Sequence, residues 1–508
     1  MNAGELPVGT VLGYAGITPG DLAADGWLRC DGERYDGTVH RELYEAIGFA
    51  FGRVASNPPM FNVPDLRGLF IRCTADAATR DDRDPEWRWR SPLAAGGHDR
   101  ADVGSYQDYG TAPARNGLTA AVNRADVPST RDDAGCGPLV AEHNDRTTRV
   151  PVLGGDLESR PVNKYVHFVI KSRAGAGAPL GAVVPYAGPA GPRPGTWLLC
   201  DGAELSRFGP YKALWDAIGY VHGRGEDDTF LLPDHRGWFL RGVSGPAGRD
   251  PDRTRRTAAA EGGRQGDEVG SAQSWATAVP TNRERPATVA FQNLPDTDKG
   301  KSIAGAIRHV ALRNSGSATV TLHPSGGDAE SRPGNAAVDF YVVGRPYGEA
   351  VPVGTIVTAG GPVPAGGGWL PCDGRLLPVA EHAELAAALD YRWGGSAGTG
   401  VQLPDLRGRF LRGADHGTGT DPDANDRTRC GTGKPSEVGS VQGFATGAPR
   451  TPFTVAVPYL PTDSRQVHGE TRGGIAGFGG ARSVSVFEGG NADTRPANVY
   501  LNAYIRVR

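Results

Sequence analysis

What the sequence withholds narrows the field first. Six cysteines scattered through 508 residues are too few for a disulfide framework. A formal net charge of −3 leaves no basic footprint for nucleic acid and no polybasic patch for a membrane surface. No apolar run reaches the roughly 18 residues of a membrane-crossing helix. The opening stretch MNAGELPVGTVLGYAG lacks the charged and apolar regions of a cleavable signal. Neither membrane insertion nor signal-directed export is therefore expected. Walker A, His-Glu-x-x-His and Cys-x-x-Cys patterns are missing as well, and no Gly-x-Ser-x-Gly elbow is expected, so no cofactor and no enzymatic activity are expected.

What is present is turn chemistry around regularly placed apolar residues. Glycine contributes 75 residues and proline 40, while aromatic and branched residues run throughout, which suits short strands and ordered loops better than disorder. The chain also repeats itself. GWLRCDG at Gly26–Gly32 returns as TWLLCDG at Thr196–Gly202 and as GWLPCDG at Gly368–Gly374. Each phrase follows a Pro-x-Gly strand beginning at Pro7, Pro179 or Pro352. Short helical patches come next, HRELYEAIG from His40, GPYKALWDAIG from Gly209 and AEHAELAAALD from Ala380, with apolar residues at i, i+3 and i+4.

Then come PDLRGLFIR from Pro64, PDHRGWFLR from Pro233 and PDLRGRFLR from Pro404. VGSYQ, VGSAQ and VGSVQ follow from Val103, Val269 and Val438. After a divergent segment the copies reconverge on ESRPVNKYVHFVIK from Glu158, ESRPGNAAVDFYVVGR from Glu330 and DTRPANVYLNAYIRVR from Asp493. Gly/Ala/Pro joints near Ser172–Ala178 and Arg345–Ala350 divide the chain into 1–174, 175–347 and 348–508.

The recurring phrases read as scaffold. In Cys-Asp-Gly, glycine supplies positive φ and the aspartate bonds its own following backbone, leaving Trp27, Trp197 and Trp369 to fill equivalent cores. Cys30, Cys200 and Cys372 are small buried side chains beside Asp31, Asp201 and Asp373. Asp65 and Arg67, Asp234 and Arg236, and Asp405 and Arg407 have the spacing of a bidentate pair. Cys73 and Cys136 are available for a bridge.

Taken together, the ordered phrases resemble the phage tail collar domain family, found at tail-fibre tips of phages and contractile injection systems. The resemblance implies an α+β module, mainly β and irregular, and here three in tandem. Family members usually carry it once, at the end of a homotrimeric fibre, with a variable distal segment against the host surface. This chain departs from that plan in its three copies and in starting its first collar strand at Pro7, so that no shaft or attachment domain is expected before it. The metal-binding His-x-His pairs of some short tail fibres are missing.

Three fused copies can supply the interfaces of a closed trimer within one chain, so an intramolecular pseudo-trimer is expected; a linear string of three beads, itself trimerised, is the alternative. The resemblance further implies a virion-tail or injection-particle component assembled in the cytoplasm. Its partners would be other tail or baseplate proteins and a host surface glycan or protein, without nucleic acid. A purely structural assembly role, or a polysaccharide depolymerase, are the other readings.

Specificity is expected where the copies disagree, in Tyr106–Leu157, Ser274–Ala329 and Gly443–Ala492. Candidate contact residues there are Tyr106, Tyr109, Trp275, Phe291, Phe444, Phe453, Tyr459 and Phe478, joined by Trp87 and Trp89 in a loop peculiar to the first copy. A depolymerase would draw on acids such as Asp126, Asp132, Glu142, Asp296 or Glu488. Asp421, Asp423 and Asn425 alternate like early calcium ligands, but Asp426 and Thr432 replace the glycine and glutamate such a loop needs.

Overall fold

The computed structural model describes residues 5–15, 20–74, 84, 86–112, 118–125, 147–161, 163–175, 177–188, 195–278, 288–292, 317–322, 324–326, 331, 333, 335–343, 345, 351–359, 368–446, 453–458, 478–485, 494, 496 and 498–508. As expected of the α+β class, it is mostly strand and irregular backbone with few helices.

Each repeat builds the same parts for the same reasons. The opening strands Thr10–Tyr14, Ala182–Tyr186 and Ile356–Ala359 are buried along their whole length. The predicted helices are Arg41–Ile47, Lys212–Ile218 and Ala383–Leu389, 7 residues each. Helices so short do not persist on propensity alone. They are held by burying Leu43 and Ile47, Leu214 and Ile218, and Leu385, Ala386 and Leu389. Positive-φ residues stop them, Gly48 and Gly219 in two copies and Asp390 in the third.

The closing strands Asn163–Lys171, Asn335–Val343 and Asn498–Arg506 make the repeats inseparable. The later part of each lies antiparallel on its own repeat, with Leu12 opposite Val169, Val184 opposite Tyr341 and Val357 opposite Tyr504. Its first residues instead run parallel to the Phe-x-Arg strand of another repeat. Asn163 registers with Phe239, Asn335 with Phe410 and Asn498 with Phe70. The first repeat thus completes the second, the second completes the third, and the third completes the first.

Further contacts follow the same cycle. The opening strands touch at Gly13 and Val183, Tyr186 and Thr355, and Thr10 and Ala359. The Phe-x-Arg strands Phe70–Cys73, Phe239–Gly242 and Phe410–Gly413 bridge through Arg241 and Phe70, Phe239 and Arg412, and Phe410 and Arg72. Phe70, Phe239 and Phe410 form an apolar cluster of their own, each 1% exposed. Seventeen strands from all three repeats join one hydrogen-bonded system, and each repeat keeps only a small sheet of two or three strands to itself, such as Glu204–Ser206 with Thr229–Leu231. This cyclic order is consistent with an intramolecular pseudo-trimer, and a string of separate beads would not contain the contact between the last strand and the first repeat.

Strands of the divergent segments interleave too. Thr147–Arg160 pairs with Thr288–Gln292 and with Phe453–Pro458, which also carries Ser317–Leu322. Leu118–Ala125 pairs with Phe478–Ser485 and with Pro324–Gly326. All three repeats therefore contribute strands to this region.

Candidate functional site

The parts common to all three copies build junctions. In the first, Arg256 Nη1 reaches Asp250 Oδ2 at 3.1 Å, Gln273 Oε1 at 2.7 Å and Asn163 Oδ1 at 2.8 Å. Asn163 comes from the preceding repeat's closing strand. The second junction has Arg427 on Asp421 (3.0 Å), Gln442 (2.7 Å) and Asn335 (2.8 Å). The third has Arg90 on Asp84 (3.2 Å), Gln107 (2.8 Å) and Asn498 (2.9 Å).

A second arginine joins each buried aspartate, Arg241, Arg412 or Arg72, within 3.3 Å. Its Nε donates across the interface to the carbonyl of Gly68, Gly237 or Gly408, and its guanidinium lies 5.1 to 5.3 Å from the ring of Phe70, Phe239 or Phe410. Burial disfavours the charged form of Asp250, but Arg241 and Arg256 outweigh it and hold the carboxyl at about 2.

These nodes were not anticipated from sequence. Their signal was visible as polar residues in register in every copy, the Gln of Gly-Ser-x-Gln and the Asn of Arg-Pro-x-Asn, among neighbours that vary. No local pattern says that the asparagine serves another repeat.

The phrases read as scaffold behave accordingly. Arg67 and Asp65, Arg236 and Asp234, and Arg407 and Asp405 each make two side-chain hydrogen bonds. In the first Cys-Asp-Gly turn Gly32 has φ 77°, and a Cβ there would come within 2.9 Å of Asp65 Cβ, so glycine is required on two counts. Cys30, Cys200 and Cys372 are buried free thiols, pushed well up by desolvation, and Cys73 is also free and buried. One expectation changes. The three tryptophans do not fill separate cores; they share a single apolar cluster with the opening strands. Trp27 Nε1 donates to Gly177 O (3.0 Å) and Trp369 Nε1 to Glu5 O (3.2 Å).

The candidate contact residues are not brought together into one patch. The loop of Trp87 and Trp89 is not peculiar to the first copy: Trp87–Trp89, Arg253–Arg255 and Ala424–Asp426 are the same short helical turn between a node aspartate and its arginine, and only the tryptophans differ. Trp89 is 67% exposed, whereas Trp87 is half-buried with Arg88 stacked 4.5 Å from its ring. Tyr106, Tyr109, Trp275 and Phe444 are half-buried. Phe453 is fully buried, so its ring packs inward and cannot meet a partner. Phe291 pairs with Thr148 and Phe478 with Ala125 in the interleaved strands. Tyr459 lies outside the described residues, as do Cys136 and the acids Asp126, Asp132, Glu142, Asp296 and Glu488.

The calcium-like trio is pulled apart: Asp421 is buried on Arg412 and Arg427, while Asn425 is exposed. No cluster among the described residues groups three potential His, Cys, Asp or Glu metal ligands. A Gly-x-Ser-x-Gly string at Gly394–Gly398 spells the pattern of a nucleophile elbow, but it turns between two short antiparallel strands, and exposed Ser396 is hydrogen-bonded to Thr399 at 2.9 Å. An elbow would lead from strand into helix.

The Phage Tail Collar Domain profile matches residues 13–71, 181–240 and 354–411. The chain carries three phage tail collar domains. Each match covers all or the end of the opening strand, the Trp-x-x-Cys-Asp-Gly turn, the helix and the start of the Phe-x-Arg strand, so the junction asparagines and glutamines lie outside it. Among curated sequences, the chain is 33% identical to protein RhiB of Rhizobium leguminosarum bv. viciae over 155 residues, 28% of this chain and 64% of RhiB. It is 37% identical over 107 residues to protein StfE of Escherichia coli strain K12, 21% of this chain and 48% of StfE. The chain thus spans less than two thirds of either relative. No solved structure matches it. No helix among the described residues is long and apolar enough to cross a membrane.

Proposed function

We propose that this chain is a non-enzymatic tail-fibre-tip or tail-adaptor protein of a phage or phage-like injection particle. In this reading its modules, 1–174, 175–347 and 348–508, stand in for the protomers of a trimeric tip. The observation that carries it is the cyclic exchange of closing strands, which joins Asn498 to Phe70 as it joins Asn163 to Phe239. A closed ring leaves little exposed strand edge at the junctions, and fusion frees each copy to change its outer face separately. Trp89, with Tyr106, Tyr109, Trp275 and Phe444, supplies aromatic surface for a host glycan or protein. Several weak contacts on one particle hold a repetitive surface by avidity.

Two measurements test this. Light scattering should find the purified chain at its own mass of 53.2 kDa, whereas a firm homotrimer with no monomer on dilution contradicts the pseudo-trimer. Labelled protein should be retained on host cells without releasing new reducing ends from their polysaccharide. Release of sugar ends would mark a depolymerase, and failure to bind any host surface would leave a purely structural tail component.

A further inference from the structure

The three junctions are equivalent in backbone but not in filling. The amide of each Cys-Asp-Gly cysteine donates to the closing strand at one position: Cys30 to Phe168 O (2.9 Å), Cys200 to Phe340 O (2.8 Å) and Cys372 to Ala503 O (3.0 Å). Phe168 and Phe340 are buried, 8% and 5% exposed. Phe168 packs over Gly242 of the next repeat, whose added Cβ would meet the ring at 3.3 Å. At the third junction Ala503 replaces the phenylalanine and Cys73 replaces the glycine. A phenyl ring is exchanged for a thiol, and the thiol does not make up the volume.

A cleft of about 430 Å³ lies at this third junction, within the few-hundred-Å³ range of small-ligand sites. Its walls include Asp102 and Thr74 from the first repeat and Asp373, Arg407, Asn502 and Tyr504 from the third. Several of these groups are held in place. Thr74 Oγ1 donates to Asn502 Oδ1 at 2.9 Å, Arg407 is paired with Asp405, and Asp373 with Arg375. A planar amide, a guanidinium and two carboxylates beside a tyrosine suit paired hydrogen bonds to neighbouring hydroxyls. With their partners counted, the three carboxylates of Asp102, Asp373 and Asp405 against the two guanidiniums of Arg375 and Arg407 disfavour phosphate and other anions, and so polar a wall disfavours an apolar ligand.

We propose that this cleft is a sugar-binding site, taking one neutral hexose or N-acetylhexosamine unit. The inference deepens the receptor-binding reading and rests on it for its biological setting.

The test uses the whole chain and methyl glycosides of neutral hexoses and N-acetylhexosamines, with binding followed by saturation-transfer NMR and titration calorimetry. The double variant Cys73→Gly/Ala503→Phe restores the Phe–Gly pair of the other junctions. At least one glycoside should bind the natural chain, and the double variant should bind it at least tenfold more weakly while melting at a similar temperature. Equal binding by both chains, no glycoside bound at all, or preference for inorganic phosphate or an acidic peptide overturns the site. Cell binding separates this from the broader reading. Equal retention of both chains on host cells removes the cleft from recognition and leaves the receptor role standing. Glycoside binding lost in the variant, without cell binding by either chain, does the reverse.

Discussion

The junction nodes and the module interiors lie within one fold but tolerate change differently. At the nodes the same Arg, Asp, Gln and Asn recur in every copy. Inside the modules, Phe51 and Leu66 of the first copy become His222 and His235 in the second, and Trp393 and Leu406 in the third. A node must satisfy two repeats at once, and a buried ion cluster with one partner missing is costly. These interior positions are not tied to an ion cluster, even where they reach a neighbouring repeat as Trp393 Nε1 does on the Ala187 carbonyl at 2.9 Å, and a hydrophobic core accepts exchange when total volume is kept. The histidine pair shows how far that latitude extends. The rings lie 6.3 Å apart, His222 Nε2 donates to the Ala15 carbonyl at 3.1 Å, and neither ring nitrogen of His235 has a hydrogen-bond partner among the described residues.

Four changes probe this contrast, in order of expected effect. Removing residues 498–508 should be the most damaging, since it deprives the first repeat of its parallel strand and of Asn498. Hydrogen exchange should then lose protection at 70–73 first, and a truncated chain that melts like the full one would break the cyclic account. Next, Asp250→Ala strands Arg241 and Arg256 without their carboxylate and should cost about 3–5 kcal/mol. Asp84→Ala and Asp421→Ala should cost similar amounts in chemical denaturation if the three nodes are equivalent.

Third, acid sensitivity should concentrate in the second module. Desolvation lowers His222 to about 3 and His235 well below its ordinary value of 6.5, so both are neutral in the fold. The unfolded chain then takes up protons that the fold refuses, and stability falls as pH drops from about 6.5 toward 3. The slope approaches about 1.4 kcal/mol per pH unit per histidine. His235→Leu, the residue of the other two copies, should flatten that slope in melts at pH 7 and 4.5. His416 works in the opposite sense, since its hydrogen bond to Asp339 raises it and adds stability that is lost as pH rises. Last, Arg41→Ala removes an exposed helix pair with Glu45 and should leave the melting temperature unchanged within error, as surface pairs usually do.

Local chemistry was legible before any fold was known. The Asp–Arg pairs two residues apart, the positive-φ glycine of Cys-Asp-Gly and the short amphipathic helices all follow from spacing and side-chain type, because their partners lie within a few residues. Contact residues were much less legible. An aromatic residue in a polar loop can face either way, and Phe453 turned inward while Trp89 turned out.

By itself, the order of residues determined that the chain is threefold, built of short strands and tight turns, and free of a disulfide framework. Only the tertiary structure decided which repeat each closing strand completes, that three tryptophans share one cluster, and that a cleft opens where the third repeat meets the first. Those outcomes depend on partners hundreds of residues apart. Pairing across such distances is set by burial and hydrogen-bond satisfaction over the whole ring, and no local sequence period carries that information.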